Sequence, residues 1–154
     1  MITYIDTSVL LKLLVDDEVG VSAAQRLWLD SDFVVCAEIG YAEARAALAS
    51  AHRAGRLDAH GLSTAKAELD TLWAQLDVVP VTTELVRVAG DLAELEALRG
   101  YDAVHLAAAL ASKASVVATA DAQLLVAAQR RQFDVSNPLQ HLSPQQRTRH
   151  NPRH

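Results

Sequence analysis

The sequence contains a single cysteine, Cys36, and this scarcity excludes several kinds of protein. One thiol cannot form an internal disulfide, and no Cys and His residues follow one another at the spacing of a structural zinc site. No apolar run approaches the roughly 18 residues that a membrane-spanning helix needs, and no basic segment leads into a signal-like core at the N-terminus. These absences predict a soluble, cytoplasmic protein with no disulfide and no contact with a membrane.

Acidic residues are missing from the end of the chain, because no Asp or Glu follows Asp134 while Arg and His residues do. The formal net charge of the whole sequence is -5, which argues against a uniformly basic protein that binds nucleic acid without specificity. The segment from residue 138 onward is polar and holds three of the 4 prolines. We therefore predict that residues 138–154 form an irregular, basic tail.

The rest of the sequence has the character of one globular domain, with 51% hydrophobic and 21% charged residues over a chain of 154. We expect residues 1–137 to form this domain. Short apolar runs alternate with segments of helical periodicity, which is typical of strand–helix units that build a parallel sheet. The predicted strands are Ile2–Ile5, Phe33–Cys36, Val78–Val81, Val116–Ala118 and Phe133–Val135.

The segments between these strands are rich in alanine, whose helix propensity is high. The predicted helices are Thr7–Leu14, Val19–Asp30, Glu38–Ala54, Asp58–Leu76, Thr83–Leu98, Asp102–Ser112 and Ala120–Arg131. Gly55 and Gly100 stand where two of these helices are expected to end, since glycine is the preferred residue just after a helix.

Carboxylates follow two of the predicted strands near the point where each strand ends. Asp6 comes directly after the first strand and Asp121 shortly after the fourth, so both belong at the rim of the sheet where ligands bind in doubly wound folds. Glu43 and Asp102 lie near the starts of helices whose preceding loops open on that rim. Each acid also has an ordinary alternative role, because Asp6, Asp102 and Asp121 suit helix N-caps and Glu43 suits a solvated helix surface.

The surroundings of these acids are apolar, as the segments TYIDTSVLL, GYAEARAAL, GYDAVHLAAAL and VVATADAQLL show. Partly buried carboxylates that lie near one another repel, and a divalent cation removes this penalty. Oxygen ligands suit Mg²⁺ or Mn²⁺, and clustered carboxylates that hold such ions are a common machinery for phosphodiester hydrolysis.

The segments IDTSVLL, AEIGYAEARAAL, LRGYDAVHLAAAL and VVATADAQLL resemble, in this order, those of PIN-domain ribonucleases, and most of all VapC-type toxins of bacterial toxin–antitoxin pairs. The likeness spans residues 2–125. It implies a three-layer α/β/α sandwich with a central parallel sheet of four to five strands in the order 3-2-1-4-5. It also implies a metal-dependent endoribonuclease that hydrolyses RNA phosphodiester bonds with Mg²⁺ or Mn²⁺ as its cofactor.

The resemblance extends to individual residues. It implies that four acids bind the metal and are catalytic, namely Asp6, Glu43, Asp102 and Asp121. Thr119 matches a hydroxyl residue often found just before the fourth acid. Thr7 and Ser8, which follow the first acid, are candidates for support of the site.

One position in this assignment has a competitor. Glu38 directly follows the second predicted strand, where a ligand is also expected, but the family pattern places its acid before a stretch of small residues and leucine, as Glu43 stands before ARAAL. Cys36 departs from the pattern, which often has a hydroxyl residue there.

An RNA substrate requires positive charge near the acids, since a cluster of carboxylates alone repels phosphates. Lys12 and Arg45 are the nearest candidates for RNA contact. The resemblance also implies a homodimer and a VapB-type antitoxin whose C-terminal segment covers the acidic pocket. A cationic antitoxin side chain would meet the same charge requirement as the metal.

Other interpretations fit the residues less well. A phosphatase of the haloacid dehalogenase type needs a second aspartate where this chain has Ser8, and a receiver domain needs a lysine after a late strand, which is missing near Asp121. A transition-metal site at Asp102 and His105 lacks further His or Cys partners. A catalytically inactive PIN-like domain that binds RNA or protein remains as the alternative.

Overall fold

The computed structural model of the protein describes residues 1–14 and 21–138. These residues form five strands and seven helices. The strands are β1 (Ile2–Ile5), β2 (Phe33–Ala37), β3 (Asp77–Val79), β4 (Val116–Ala118) and β5 (Asp134–Ser136). The helices are α1 (Thr7–Leu14), α2 (Val21–Asp30), α3 (Ile39–Arg53), α4 (Ala59–Trp73), α5 (Thr83–Glu96), α6 (Gly100–Ala111) and α7 (Ala122–Arg130).

The strands form one sheet in the order β3-β2-β1-β4-β5, and every neighbouring pair is parallel. This confirms the predicted order 3-2-1-4-5. β1 lies at the centre, with Tyr4 opposite Val35 of β2 and Val117 of β4. The carboxyl ends of all five strands therefore meet at one edge of the sheet.

Each face of the sheet carries a hydrophobic core, because successive side chains of a strand point to opposite faces. Tyr4 packs into a core that includes Leu106 and other buried residues of α5, α6 and α7. Its neighbour Ile5 packs into a second core with residues of α1 to α4, among them Leu10 and Leu69. Helices thus cover both faces, which is the three-layer α/β/α sandwich that the resemblance to PIN domains implies.

One predicted helix end is wrong. Gly100 begins α6 instead of ending α5. The left-handed residue that follows α5 is Ala97, with φ 52°, and its N–H donates to the carbonyl of Ala93. The prediction failed because it took glycine for the residue in this conformation, whereas alanine adopts it here in spite of the steric cost of a Cβ atom. Gly55 has φ 79° just after α3 and is placed as predicted.

The other element bounds agree with the predictions to within a few residues. β3 ends at Val79, two residues earlier than predicted, and Pro80, which follows it, has no N–H to donate to a strand ladder. The predicted start of the second helix at Val19 and the predicted tail from residue 139 lie outside the described residues, whereas Pro138 is buried. Of the helices described, none is both long and apolar enough to cross a membrane.

Candidate active site

The predicted acids gather at the carboxyl end of the sheet. Asp6 follows β1 directly, Glu43 lies on α3 after β2, Asp102 lies in the first turn of α6, and Asp121 is the N-cap of α7 after β4. The N-cap role considered for Asp102 is wrong, because α6 begins before it and the capping position is Arg99.

Asp6 is buried, with 5% of its surface exposed, and both of its carboxylate oxygens accept hydrogen bonds. Its Oδ1 accepts from the Ser8 hydroxyl at 2.6 Å and from the Val9 N–H at 3.3 Å, and its Oδ2 accepts from the Thr119 hydroxyl at 2.5 Å. Burial raises the pKa of Asp6 above its usual value of 3.8, although the hydrogen bonds from Ser8 and Thr119 oppose the shift. The ionised form of this carboxylate is therefore costly without a nearby cation.

Glu43 is fixed by two donors on the same oxygen. Its Oε1 accepts from the Thr7 hydroxyl at 3.0 Å and lies 2.7 Å from Nε2 of His105. Burial acts to raise the pKa of Glu43, but the hydrogen bonds from His105 and from the Thr7 hydroxyl oppose burial and hold the pKa below its usual value of 4.5. Glu43 is thus stabilised as an anion, in contrast to Asp6.

Arg99 joins the two remaining acids. Its Nε donates to Oδ2 of Asp102 at 3.1 Å, and its Nη2 donates to Oδ2 of Asp121 at 3.3 Å. Oδ1 of Asp121 accepts from the N–H of Leu124 and so caps α7 at the same time. The capping role and the site role of Asp121 do not compete, because each uses a different oxygen.

Hydrogen bonds connect the acids into one cluster. The N–H of Asp121 donates to the Thr119 hydroxyl at 2.9 Å, and that hydroxyl donates to Asp6. On the other side, Thr7 is the next residue after Asp6 and donates to Glu43. The acids therefore share one connected region of polar side chains instead of facing separate parts of the solvent.

The acids stand too far apart in this structure for three of them to share one ion. Among residues 1–14 and 21–138, no three Asp, Glu, His or Cys side chains lie close enough to hold one metal ion. The guanidinium of Arg99 keeps Asp102 and Asp121 at 3.1 and 3.3 Å from its nitrogens, whereas Mg²⁺ binds oxygens at about 2.0–2.1 Å. The donors are all carboxylates, which suit a hard divalent cation, and in this arrangement two of them share the single positive charge of Arg99.

Two members of this region were missed in the sequence. Arg99 lies in the segment LRGYD, three residues before Asp102, and this spacing lets the residue at the N-cap of α6 reach the carboxylate in the first turn. This spacing is the feature of the sequence from which the ion pair could have been predicted. Tyr4, whose hydroxyl lies 2.6 Å from Nδ1 of His105, gave no signal, because its position on a buried strand is typical of a core aromatic residue.

The residues proposed for RNA contact lie on α1 and α3. Arg45 donates to the Tyr41 hydroxyl at 3.1 Å and its guanidinium stands 5.8 Å from the centre of that ring. Tyr41 in turn donates to Asp70 of α4 at 2.7 Å. Lys12 lies in the last turn of α1. The role of both cations in binding RNA stays a prediction.

Glu38, the competitor of Glu43, is exposed and turns toward another part of the sheet edge. Its Oε2 accepts from the N–H of Val81 at 3.4 Å, between β3 and α5. Among the residues described, its side chain forms no hydrogen bond or ion pair with Asp6, Asp102 or Asp121, so its position favours the choice of Glu43.

The fold and the acidic cluster define an α/β sandwich with a polar site at the carboxyl edge of its sheet. The model of the PIN domain family matches residues 3–129. The chain belongs to the PIN-domain family.

Known relatives agree with this membership. The chain is 42% identical over 110 residues to Ribonuclease VapC45 of Mycobacterium tuberculosis, a match that covers 71% of this chain and 76% of the relative. Among solved structures, FitAcB from Neisseria gonorrhoeae is similar with a TM-score of 0.67 at 23% identity, covering 90% of this chain and 98% of that one. DNA-bound VapBC from Salmonella typhimurium has a TM-score of 0.62 at 15% identity, with coverage of 90% and 98%.

Proposed function

We propose that this protein is a metal-dependent endoribonuclease that hydrolyses RNA phosphodiester bonds and is the toxin of a VapBC-type toxin–antitoxin pair. The observation that carries the proposal is the bridge of Arg99 between Asp102 and Asp121. It shows that acids from two different helices lie close enough to bind the same positively charged group. The 42% identity to a VapC ribonuclease supports the choice of reaction.

Mg²⁺ or Mn²⁺ is the proposed cofactor. Its ligands would come from Asp6, Glu43, Asp102 and Asp121, and the ion would supply positive charge and Lewis acidity for phosphodiester hydrolysis. Arg99 would leave its place between the carboxylates when the ion binds. Its side chain is 74% exposed, so it has room to turn toward solvent.

The hydroxyl residues of the cluster orient the carboxylates. Thr119 and Ser8 hold the two oxygens of Asp6, and Thr7 holds Glu43. Hydrolysis of a phosphodiester requires the reacting groups to be aligned, so fixed carboxylates lower the entropic cost of reaching that geometry. Lys12 and Arg45 are the proposed RNA contacts, and Arg99, exposed beside the acids, is a third candidate once it is released.

We also propose that the protein forms a homodimer and is inhibited by a VapB-type antitoxin. The support for an antitoxin is the likeness to structures named as VapBC and FitAcB. The Arg99 bridge adds a chemical argument. A guanidinium from a partner could donate hydrogen bonds to the same carboxylates, Asp102 and Asp121, that Arg99 binds in this structure. Co-expression with a candidate antitoxin, followed by co-purification and light scattering, tests both statements.

The activity is tested by incubating the purified protein with total bacterial RNA in Mg²⁺ or Mn²⁺. We expect cleavage by the wild type, and no cleavage with EDTA or by the Asp6→Asn variant. Glu38→Gln is the matched control, since it neutralises a nearby acid that lies outside the cluster. Cleavage that survives both EDTA and Asp6→Asn would contradict the proposal, and RNA binding without cleavage would favour the inactive PIN-like alternative.

A further inference from the structure

A buried hydrogen-bond relay leads from the sheet backbone to Glu43. The N–H of Ala37 on β2 donates to the Tyr4 hydroxyl at 3.0 Å, and this hydroxyl lies 2.6 Å from Nδ1 of His105. Nε2 of the same imidazole lies 2.7 Å from Oε1 of Glu43. Tyr4 is 0% and His105 2% exposed, so the relay is shielded from water along most of its length.

The direction of the relay follows from the donor at its start. Since the Tyr4 oxygen already accepts from Ala37, its own hydrogen is available to donate to Nδ1 of His105. An unprotonated Nδ1 requires the proton to be on Nε2, which then donates to Glu43. A proton on Nδ1 would leave the Tyr4 hydrogen buried without an acceptor, which is unfavourable.

The position of His105 in α6 argues against a role as a simple core residue. Its helix neighbours are apolar and buried: Ala103, Val104, Leu106, Ala107 and Ala108. Placing an imidazole among such residues is costly unless both of its nitrogens find partners. An apolar side chain would fill the same space without this requirement, so the histidine is explained by what it binds.

We propose that His105 and Tyr4 are positioning residues that hold Glu43 in place for a divalent metal ion. The proposal rests on the proposed function, because it takes Glu43 as a metal ligand. Thr7 and His105 both use Oε1 of Glu43, so Oε2 would be the oxygen left to meet an ion. The relay fixes the carboxylate before the ion arrives, as outer-shell hydrogen bonds do in known metal sites.

The first test is the affinity for Mn²⁺, measured on the full chain by titration calorimetry and by the electron paramagnetic resonance signal of free Mn²⁺. We expect His105→Leu to weaken binding about 10- to 100-fold. His105→Gln keeps a side-chain N–H for Glu43 and should recover most of the affinity. Tyr4→Phe should weaken binding too, and Tyr4→Phe combined with His105→Leu should be no worse than His105→Leu alone.

A matched control is available on the same strand. Thr3 is completely buried, and its hydroxyl makes a hydrogen bond of 2.7 Å with Ser31. Thr3→Val therefore removes a buried hydroxyl of β1 whose hydrogen bond goes to Ser31 and not to the relay. We expect it to bind Mn²⁺ with the wild-type affinity, so a general loosening of the strand is distinguished from loss of the relay.

The second test is ¹⁵N NMR of the imidazole in the metal-free protein, first in the wild type and then in Tyr4→Phe. The spectrum should show a protonated Nε2 and an unprotonated Nδ1, and Tyr4→Phe should change this pattern. A proton on Nδ1, or wild-type Mn²⁺ affinity in both His105→Leu and Tyr4→Phe, overturns the inference.

Glu43→Gln separates this inference from the proposed function. Loss of Mn²⁺ binding in Glu43→Gln together with unchanged binding in the relay variants overturns the relay alone. Unchanged Mn²⁺ binding and RNA cleavage in Glu43→Gln would instead show that the proposed ligand set is wrong.

Discussion

The Thr119 hydroxyl donates a hydrogen bond of 2.5 Å to Oδ2 of Asp6 although 113 positions separate the two residues in the chain. β1 and β4 are parallel neighbours with Ile5 opposite Ala118, so the residues that follow the two strands lie side by side. The same hydroxyl accepts from the N–H of Asp121. One small side chain thus sets the position of two acids.

Replacing Thr119 by valine should impair cleavage and change its pH dependence. The Thr119 hydrogen bond favours the ionised form of Asp6, so its loss raises the pKa of Asp6 further. We expect the acidic limb of the kcat/KM profile to move to higher pH and the rate at neutral pH to fall about 10- to 100-fold. Thr119→Ser, which keeps the hydroxyl, is the control. Superimposable profiles for Thr119→Val and the wild type would refute this role.

Replacing Asp6 by asparagine should stabilise the metal-free protein at neutral pH. The folded-state pKa of Asp6 lies above its value of 3.8 in the unfolded chain, so ionisation costs more in the folded protein. The wild type therefore loses stability relative to Asp6→Asn as the pH rises from the unfolded-state pKa through the folded-state pKa, and below the unfolded value the difference no longer changes with pH. Thermal unfolding of both proteins from pH 3 to pH 8 in EDTA measures this difference. A constant difference across that range would contradict the raised pKa.

Removing Arg99 should strengthen the binding of divalent ions. The guanidinium competes with a metal for Asp102 and Asp121, and an exposed ion pair is worth about 0.2–1 kcal/mol. Two such pairs sum to about 0.4–2 kcal/mol, so we expect a gain of about twofold to thirtyfold in Mn²⁺ affinity for Arg99→Ala, measured by calorimetry. Arg130→Ala removes an exposed arginine that pairs with Glu96 and is the control. Weaker Mn²⁺ binding in Arg99→Ala would show that the arginine supports the site instead of blocking it.

A methyl group at Gly40 should destabilise the fold close to the site. A Cβ atom there would stand 2.6 Å from Sγ of Cys36, which is buried. We expect Gly40→Ala to lower the free energy of unfolding by about 1–3 kcal/mol in urea titrations. Adding Cys36→Ala should return part of the loss, because it removes the clashing atom.

The control for this change is Gly90→Ala on α5. Apart from the adjoining backbone of its own helix, no heavy atom lies within 4 Å of the added carbon among the residues described, so this variant should gain about 0.5–1 kcal/mol from helix propensity. Equal effects of the two substitutions would mean that the close packing of Gly40 against Cys36 does not limit stability.

The sequence by itself determined the elements and the nature of the site. Apolar runs marked β1 and β4 with their observed bounds, since strands buried between two helical layers must be apolar on both faces. The acids after these runs indicated a carboxylate cluster because the ends of parallel strands meet at one edge. The strand order itself came from the likeness to PIN domains, as periodicity does not specify which strands are neighbours.

The tertiary structure alone decided how the acids are held. The bridge from Arg99 to Asp121 and the relay from Tyr4 through His105 to Glu43 join residues that are distant in the chain. Their formation depends on the distance between β1, α3 and α6 after packing, and on which nitrogen or oxygen of each side chain faces its neighbour. Local propensity and spacing carry no information on either quantity, because both arise only when the helices close over the sheet.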